Sequence, residues 1–240
     1  MISFTDIHCH ILPGLDDGAQ TMEETMAVLK EAKRQGVRRM IVTPHYHPGR
    51  FQVTAEQIRE TLAEVQREAV RRQIEIRLYP GQECFYYSEL AERLNAGEVL
   101  TLAGSRYVLV EFDPRCPYSQ LTMGLQELQQ NGYAPILAHF ERYECLWNAE
   151  RLDKLKKRGI LLQMNIDQLL EKNHLFRKNI WRSICADGFV DYLGSDCHGT
   201  QFRPLQLEKS LEWIEENISP PLKRRILTSN IRAILAEKKK

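Results

Sequence analysis

Short apolar runs alternate along the chain with longer stretches in which apolar residues recur every three or four positions. The short runs are rich in β-branched and aromatic residues and predict strands, whereas the longer stretches predict amphipathic helices. The seven predicted strands are Ile2–His8, Arg39–His45, Ile74–Glu83, Tyr107–Phe112, Ala134–His139, Ile160–Asn165 and Phe189–Ser195. This alternation predicts an α/β fold with a parallel sheet and right-handed crossovers.

The strand–helix repeats follow one another without a linker rich in proline, glycine or serine. This continuity predicts one domain over residues 1–240 and favours a single closed or nearly closed barrel, with a doubly wound open sheet as the main alternative. The clearest helix begins at the capping box Thr21–Glu24 and ends at Gly36. Further helices are predicted at Thr54–Arg72, Ser119–Asn131, Ala149–Arg158, His174–Asp187, Pro204–Glu216 and Asn230–Lys240.

Side chains that can bind metal ions gather where the predicted strands end. In a parallel barrel these ends meet at one mouth, and active sites are built there. Five of the seven histidines take part, together with two glutamates and several aspartates: His8, His10, Asp16, Asp17, His45, Glu83, Glu111, His139, Asp196 and His198.

The spacing and chemistry of these residues indicate what the mouth binds. His8 and His10 leave the same face of the chain, and so do Asp196 and His198, because side chains alternate along a strand. Burying many imidazoles and carboxylates is costly unless metal ions bind them. A set of His, Asp and Glu without thiolates favours Mn, Fe or Zn at a catalytic, multinuclear centre over a structural zinc.

Composition excludes several other classes of protein. Thirty-three Lys and Arg residues stand against 32 Asp and Glu, which removes the electrostatic basis for general nucleic-acid binding. No apolar run reaches the roughly 18 residues of a membrane span, so we expect no membrane insertion, and the early His-rich motif leaves no room for a signal peptide. Six cysteines occur singly, which is typical of free thiols in a reducing cytoplasm. We expect Cys9, Cys84 and Cys197 to face away from the mouth as small buried residues.

Thiol catalysis is an alternative that two Cys-x5-Arg matches raise. The matches, Cys145 to Arg151 and Cys197 to Arg203, have the spacing found in cysteine-dependent phosphatases. A phosphate-cradling loop needs small, glycine-rich backbone between the two residues. The first match is bulky there, and the second contains His198, which is a proposed metal ligand, so metal catalysis is the favoured reading.

The motifs resemble those of a known superfamily. HxH after the first strand, Thr-Pro-His, Gly-x-Glu, a later His and a terminal Asp-x-His resemble the PHP (polymerase and histidinol phosphatase) superfamily. More narrowly, the chain is similar from end to end to the bacterial metal-dependent protein-tyrosine phosphatases of capsule and exopolysaccharide clusters. The segments that carry this resemblance are Asp6–Ile11, Asp16–Ala19, Glu111–Phe112, Ala138–Tyr143 and Ser195–His198. It implies a distorted (β/α)7, TIM-like barrel that holds three divalent metal ions, often manganese, with iron or zinc as alternatives.

The resemblance also implies roles for individual residues, carried over motif by motif. One metal would be held by His8, His10, Glu83 and Asp196, a second by Glu83 as a bridge with Glu111 and His139, and a third by Asp17, His45 and His198. Asp17 is favoured over Asp16 because family members generally present the aspartate that immediately precedes glycine. Arg142 and Arg203 would bind phosphate. The sequence predicts no role for Arg50. His47 is either a substrate contact, a residue that supports a metal ligand, or an exposed loop residue.

The implied activity is hydrolysis of phosphotyrosine by a metal-bridged hydroxide, without a covalent enzyme intermediate. The implied partner is an autophosphorylated bacterial tyrosine kinase with a tyrosine-rich tail that controls exopolysaccharide or capsule synthesis. Two alternatives stay open: a superfamily phosphatase acting on a small phosphomonoester such as histidinol phosphate, and a non-catalytic, metal-bound regulatory module. Neither composition nor motifs predict an oligomeric state.

Overall fold

Strands and helices alternate through the structure, as the sequence predicts. The computed structural model describes residues 3–170 and 180–236. Its strands within these ranges are β1 (Phe4–Asp6), β2 (Val37–Val42), β3 (His45–His47), β4 (Phe51–Gln52), β5 (Arg77–Pro80), β6 (Glu83–Phe85), β7 (Tyr107–Glu111), β8 (Ala134–Leu137), β9 (Leu161–Asn165) and β10 (Tyr192–Gly194). Its α-helices there are α1 (Met22–Arg34), α2 (Ala55–Arg71), α3 (Leu90–Ala96), α4 (Tyr118–Gln130), α5 (Ala149–Lys157), α6 (Ile180–Ala186), α7 (Glu208–Asn217), α8 (Pro220–Arg224) and α9 (Asn230–Ala236).

The strands form two hydrogen-bonded sheets that together make one barrel. One sheet has the order β1-β2-β5, and the other has the order β10-β9-β8-β7-β6-β3-β4, in which every pair is parallel except β3 and β4. Two non-strand residues interrupt the strands at two places: Thr43–Pro44 separates β2 from β3, and Gly81–Gln82 separates β5 from β6. The parallel pair β2–β5 is therefore followed along the chain by the parallel pair β3–β6. If β2 with β3 and β5 with β6 are each counted as one interrupted strand, and the antiparallel β4 is left out, the barrel has the seven strands predicted.

Backbone hydrogen bonds close the barrel between its last and first strands. Cys9 and Cys197 form a parallel bridge, where the His10 N–H donates to the Cys197 carbonyl at 2.8 Å and the Asp196 N–H donates to the His8 carbonyl at 2.8 Å. The chain therefore forms a distorted (β/α)7, TIM-like barrel and not an open sheet.

The barrel interior changes character from bottom to top. An apolar cluster that includes Tyr107, Leu109 and Ile136 fills the lower part, and Ile231 and Ile234 of α9 pack with it. Residues on the same strand faces one or two steps later are polar, because inward-facing side chains recur with period two. The inward-facing residues near the start of a strand thus belong to the hydrophobic core, and those near its carboxyl end line the mouth.

Most element boundaries lie within a few residues of those predicted. Thr21 caps α1 as predicted, although Glu24 Oε2 accepts from the Gln20 N–H (3.0 Å) and does not complete the predicted capping box. A full capping box is formed instead by Thr54 and Gln57 at the start of α2. Two short helices, α3 and α8, were not predicted, and the helix predicted from Pro204 begins only at Glu208. His174 and the start of its predicted helix, and the tail beyond Ala236, lie outside the described residues. No helix within residues 3–170 and 180–236 is long and apolar enough to cross a bilayer.

A buried carboxylate reinforces the barrel closure. Asp6 Oδ1 accepts hydrogen bonds from the backbone N–H groups of His8 (3.2 Å) and Ser195 (2.9 Å), and Oδ2 accepts one from Ser195 Oγ (2.5 Å). Burial raises the pKa of Asp6 even though these hydrogen bonds lower it. Asp6 therefore links the end of β1 to the residue that follows β10, and burying its carboxylate charge opposes part of this stabilisation.

We expect Asp6→Ala to lower the free energy of unfolding by about 3 kcal/mol, because it leaves two buried N–H groups and a hydroxyl without an acceptor. Asp6→Asn should cost about 1 kcal/mol or less, since its oxygen keeps the N–H bonds and no charge is buried. Denaturant unfolding with a metal chelator present measures both. The exposed control Asp113→Ala should stay within about 0.5 kcal/mol of wild type. A full loss in Asp6→Asn would show that the charge itself is required.

Candidate metal centre

The nine predicted ligands lie together at the carboxyl end of the barrel. Among the described residues, three groups have donor atoms within 4.8 Å of one another. The groups are His8, His10, Glu83 and Asp196; His45, Glu83 and Glu111; and His10, Asp17, His45 and His198. Because the groups share members, the structure brings the donors into one continuous cluster.

Two of the groups differ from the carried-over assignments, because the second contains His45 in place of His139 and the third also contains His10. The first group is the predicted one. In the second, His139 Nε2 also lies close, at 2.8 Å from Glu83 Oε1 and 3.5 Å from Glu111 Oε2, while His45 Nδ1 lies 3.2 and 3.3 Å from the same two glutamates. His45 therefore stands between the second and third groups.

Asp17, and not Asp16, faces the third group. Asp17 Oδ1 is 3.5 Å from His45 Nε2 and 3.6 Å from His198 Nε2. Asp16 is turned the other way, where its carboxylate accepts hydrogen bonds from His10 Nδ1 (2.8 Å), the His45 N–H (2.9 Å) and the Gly18 N–H (3.0 Å). Asp16 therefore orients His10, a function that the sequence did not reveal.

Three histidines are held so that the same ring atom faces the cluster. The Nδ1 atoms of His8, His10 and His198 donate to Gln163 Oε1 (3.0 Å), Asp16 Oδ2 (2.8 Å) and the Asp196 carbonyl (2.8 Å), respectively. In the neutral tautomer that these hydrogen bonds select, each Nε2 has a lone pair on the side of the cluster. Metal-binding histidines are oriented in this way. The lone pair of His198 also accepts a hydrogen bond from Arg203 Nη1 at 3.1 Å.

The convergence of these lone pairs fits a bound cation. His8 Nε2 and His10 Nε2 are only 3.1 Å apart, and Glu83 Oε2 lies 3.1 and 3.2 Å from them. Glu83 Oε2 is buried and has no hydrogen-bond partner in the described part of the chain. Two nitrogen lone pairs and a carboxylate oxygen repel one another unless positive charge lies between them, so the donor set suits a divalent metal ion.

The pKa shifts of the buried groups indicate the same requirement for positive charge. Burial disfavours protonation of His139, but hydrogen bonds and charges from Glu111 and Glu83 outweigh it and raise the pKa to about 9. Burial also opposes ionisation of Asp16, yet the adjacent His10 lowers its pKa to about 2. Burial and the neighbouring His10 lower the pKa of His198 to about 4, which keeps it neutral. A bound metal ion would replace the proton that His139 otherwise gains from its two glutamate neighbours.

Strained backbone turns the chain at the mouth. His139, Asp196 and Arg203 have φ values of 32°, 52° and 43°, in the left-handed region. Each such residue costs on the order of 1–3 kcal/mol and persists only where its surroundings fix it. His139 can thereby reach Glu83 while the preceding Ala138 stays in the barrel interior.

Both predicted phosphate-binding arginines reach the cluster. Arg142 Nη2 donates to Asp196 Oδ2 at 2.5 Å, and Arg203 Nη1 lies 3.1 Å from His198 Nε2 and 3.7 Å from Asp196 Oδ2. The two guanidinium groups line a cavity of about 370 Å³ together with Ser195 and Asp196. The mouth therefore offers positive charge beside the donors.

Two residues without a predicted role also lie near the mouth. Arg50 Nη2 is 3.6 Å from Asp17 Oδ2. The half-buried His47 ring lies against Phe85, with ring centroids 4.1 Å apart, and its Nδ1 lies 2.9 Å from the Pro48 carbonyl oxygen. His47 is thus packed and is not a freely exposed loop residue.

The thiols are placed as structural residues. Cys9, Cys84 and Cys197 are fully buried, as predicted. Burial raises the pKa of Cys197 to about 12, and it raises the pKa of Cys145 as well. Arg151 donates to the Cys145 carbonyl (2.8 Å), and Arg203 lies beside His198. Because a phosphatase cysteine needs a lowered pKa, the geometry argues against thiol catalysis.

A parallel barrel with His, Asp and Glu donors at its carboxyl end defines a class of barrel proteins built to hold divalent cations. A solved structure superposes with a TM-score of 0.84 at 27% identity, covering 98% of this chain and 95% of the other. It comes from work on YwqE from Bacillus subtilis and CpsB from Streptococcus pneumoniae, described as unique metal-dependent tyrosine phosphatases. The chain belongs to the CpsB/CapC family, whose model, described as capsular polysaccharide synthesis, matches residues 4–236.

Curated relatives match over nearly the whole length. Tyrosine-protein phosphatase CpsB of Streptococcus pneumoniae is 31% identical over 238 residues, covering 97% of this chain and 98% of the relative. Tyrosine-protein phosphatase YwqE of Bacillus subtilis strain 168 is 28% identical over 235 residues, covering 96% and 91%. The resemblance read from the motifs is therefore confirmed.

The shared position of Glu83 predicts unequal effects of two isosteric substitutions. Glu83→Gln should remove more bound metal per protein than Glu111→Gln, because Glu83 belongs to two donor groups and Glu111 to one. Elemental analysis of the purified, folded variants measures this, and Glu127→Gln on the outer helix α4 is the control. Equal metal contents in the two variants would contradict a bridging role for Glu83.

Proposed function

We propose that this chain is a metal-dependent protein-tyrosine phosphatase that hydrolyses phosphotyrosine, with residues 1–240 forming one phosphatase domain. The observation that carries the proposal is the approach of two guanidinium groups to a buried donor cluster, at 2.5 Å for Arg142 to Asp196 and 3.1 Å for Arg203 to His198. Family membership and the activity of the full-length relatives support it.

The cofactor of this proposal is a set of three divalent ions, Mn²⁺ first, with iron or zinc as alternatives. Their ligands would be the nine predicted residues: His8, His10, Asp17, His45, Glu83, Glu111, His139, Asp196 and His198. Bound divalent ions supply charge that neutralises phosphoryl oxygens, and they lower the pKa of water. The oxygen and imidazole donors, without a thiolate, suit these ions.

The remaining chemistry falls to the protein's own side chains. Arg142 and Arg203 would each hold phosphoryl oxygens in the cavity beside Asp196, since a guanidinium can donate two parallel hydrogen bonds. Phosphoryl transfer depends mainly on positioning and charge stabilisation. The buried Asp196 would keep both guanidinium groups aimed at the mouth before substrate arrives.

The proposed substrate is the phosphorylated, tyrosine-rich tail of a bacterial tyrosine kinase that controls capsule or exopolysaccharide synthesis. The family description, capsular polysaccharide synthesis, supports this pathway. An extended tail suits the mouth, because the cavity opens between strand-end loops at the protein surface. We place the enzyme in the cytoplasm, where its six free cysteines stay reduced.

Chelation and thiol substitution together test the proposed activity. We expect chelation to abolish hydrolysis of a phosphotyrosine peptide and Mn²⁺ to restore it, while Cys145→Ser combined with Cys197→Ser keeps most activity, allowing for a packing loss at Cys197. Histidinol phosphate serves as the comparison substrate and should be turned over far less efficiently. A folded, metal-loaded double variant without activity would reinstate thiol catalysis, and preferred turnover of histidinol phosphate would replace the proposed substrate.

Removing either arginine should slow the reaction without emptying the metal centre. Arg142→Ala and Arg203→Ala should each lower kcat/KM on the peptide by roughly 10²–10³-fold, with kcat falling too. Lysine should restore only part of this, because an ammonium lacks the two-pronged geometry. Metal content should persist, since Asp196 keeps a hydrogen bond from Asn165 (2.9 Å).

The exposed Arg115, in the loop after β7, provides the matched control. Arg115→Ala should leave kcat/KM near wild type. Normal turnover in Arg142→Ala or Arg203→Ala would remove that arginine from the proposed site.

A further inference from the structure

Two buried amides on β9 lie directly behind the donor cluster. Gln163 and Asn165 occupy alternate positions of the strand, so both side chains face the barrel interior. Gln163 is fully buried and Asn165 is nearly so. Neither is a member of the three donor groups, yet each is hydrogen-bonded to a member of the first group.

One backbone donor fixes the orientation of the first amide. The His139 N–H donates to Gln163 Oε1 at 2.9 Å. A backbone N–H can only donate, so the atom that faces it must be the amide oxygen. The same oxygen is 3.0 Å from His8 Nδ1. His8 must therefore carry its proton on Nδ1, which leaves the lone pair of Nε2 for the cluster.

The orientation of the Gln163 amide also determines the orientation of the Asn165 amide. With its oxygen occupied, Gln163 presents its NH₂ group to Asn165 Oδ1 at 3.0 Å. Asn165 must then turn its own NH₂ group outward, and Nδ2 donates to Asp196 Oδ2 at 2.9 Å. Asp196 Oδ1 is left facing His8 Nε2 and His10 Nε2, at 3.4 Å from each.

We propose that Gln163 and Asn165 are positioning residues of the metal centre. They form a directional amide relay, defined as the hydrogen-bonded series from the His139 N–H through Gln163 and Asn165 to His8 and Asp196. The relay sets the tautomer of His8. Together with Arg142, which also donates to Asp196 Oδ2, it leaves Oδ1 of Asp196 as the metal-facing oxygen. It rests on the proposed function, since it assumes that the first donor group binds a metal ion.

The surrounding chain is built to hold the relay in place. The Asn165 N–H donates to the buried Glu141 Oε1 at 3.0 Å, which anchors the end of β9. Gly194, paired with Asn165 across β9 and β10, leaves space for the relay. A Cβ atom at position 194 would lie 2.6 Å from His8 Cβ and 3.1 Å from Gln163 Nε2. A side chain at position 194 would therefore push His8 and Gln163 away from β10.

Gln82 offers a matched control for Gln163. It is also a fully buried glutamine, and its amide makes two backbone hydrogen bonds, from the Leu100 N–H (2.8 Å) and to the Val53 carbonyl (2.9 Å). Replacing either glutamine with methionine keeps the volume and removes buried hydrogen bonds. The two variants should therefore lose similar stability, and they should differ only in their effect on metal binding.

The experiment measures Mn²⁺ affinity by competition with a chelating dye, on folded protein. Gln163→Met should bind Mn²⁺ 10–100-fold more weakly than wild type, the usual effect of removing a group that orients a ligand, whereas Gln82→Met should bind normally. Equal affinities in Gln163→Met and Gln82→Met would overturn the relay. A wild-type protein that binds no metal would instead overturn the proposed function on which the relay rests.

A spectroscopic measurement separates orientation from general stability. In the Zn²⁺-loaded protein, the His8 Nδ1–H should give a downfield imidazole proton resonance, assigned by its loss in His8→Ala. We expect this resonance to persist in Gln82→Met and to disappear or move in Gln163→Met.

Asn165→Ala is the second variant, and it keeps the proposal testable should Gln163→Met fail to fold. It should weaken Mn²⁺ binding less than Gln163→Met does, because Arg142 Nη2 still donates to Asp196 Oδ2 at 2.5 Å. The His8 resonance should stay, because the bonds from His139 and His8 to Gln163 are intact. Wild-type affinity in Asn165→Ala, or an unmoved His8 resonance in Gln163→Met, would contradict the relay.

Discussion

The architecture of the mouth depends on one electrostatic constraint: buried lone pairs and carboxylates must face one another at close range. His8 Nε2, His10 Nε2 and Glu83 Oε2 lie within 3.1–3.2 Å of each other. This arrangement is unfavourable by itself, and several features of the chain maintain it. Acceptors behind the rings fix their tautomers, strained residues turn the strand ends, and the closed barrel prevents the donors from separating. The donors are therefore already positioned by the surrounding chain without a bound cation.

Much of the fold and of the donor set could be predicted from the sequence, because both follow from periodicity. Strand–helix alternation predicts the barrel, and strand ends predict where His8, Glu83 and Asp196 meet. The interruptions at Thr43–Pro44 and Gly81–Gln82 each divide the chain along one predicted strand into two shorter strands, β2 and β3 or β5 and β6. They were not predicted, although Pro44 and Gly81 are typical strand breakers, because apolar or aromatic residues flank both positions. The short α3 and α8 were also missed, since fewer than eight residues give too little periodicity to recognise.

The groups that orient the donors were harder to predict, for a different physical reason. Asp16 differs from Asp17 only in which way its carboxylate points, and a turn decides that direction. Gln163 and Asn165 belong to a strand whose other residues are apolar, and amides on a strand carry no signature of their own. Hydrogen-bond direction is a property of three-dimensional partners, so residues that act through a neighbour become visible only in the structure.

The closure of the barrel has a consequence for folding during translation. Asp6 bonds to Ser195, 189 residues further along the chain, and His10 bonds across the same seam to Cys197. A nascent chain leaving the ribosome cannot complete the first donor group until β10 and Asp196 have emerged. Folding therefore depends on contacts of long sequence separation, which form slowly. During synthesis the half-built barrel exposes an unpaired strand edge, and the first donor group can assemble only after β10 and Asp196 have been translated.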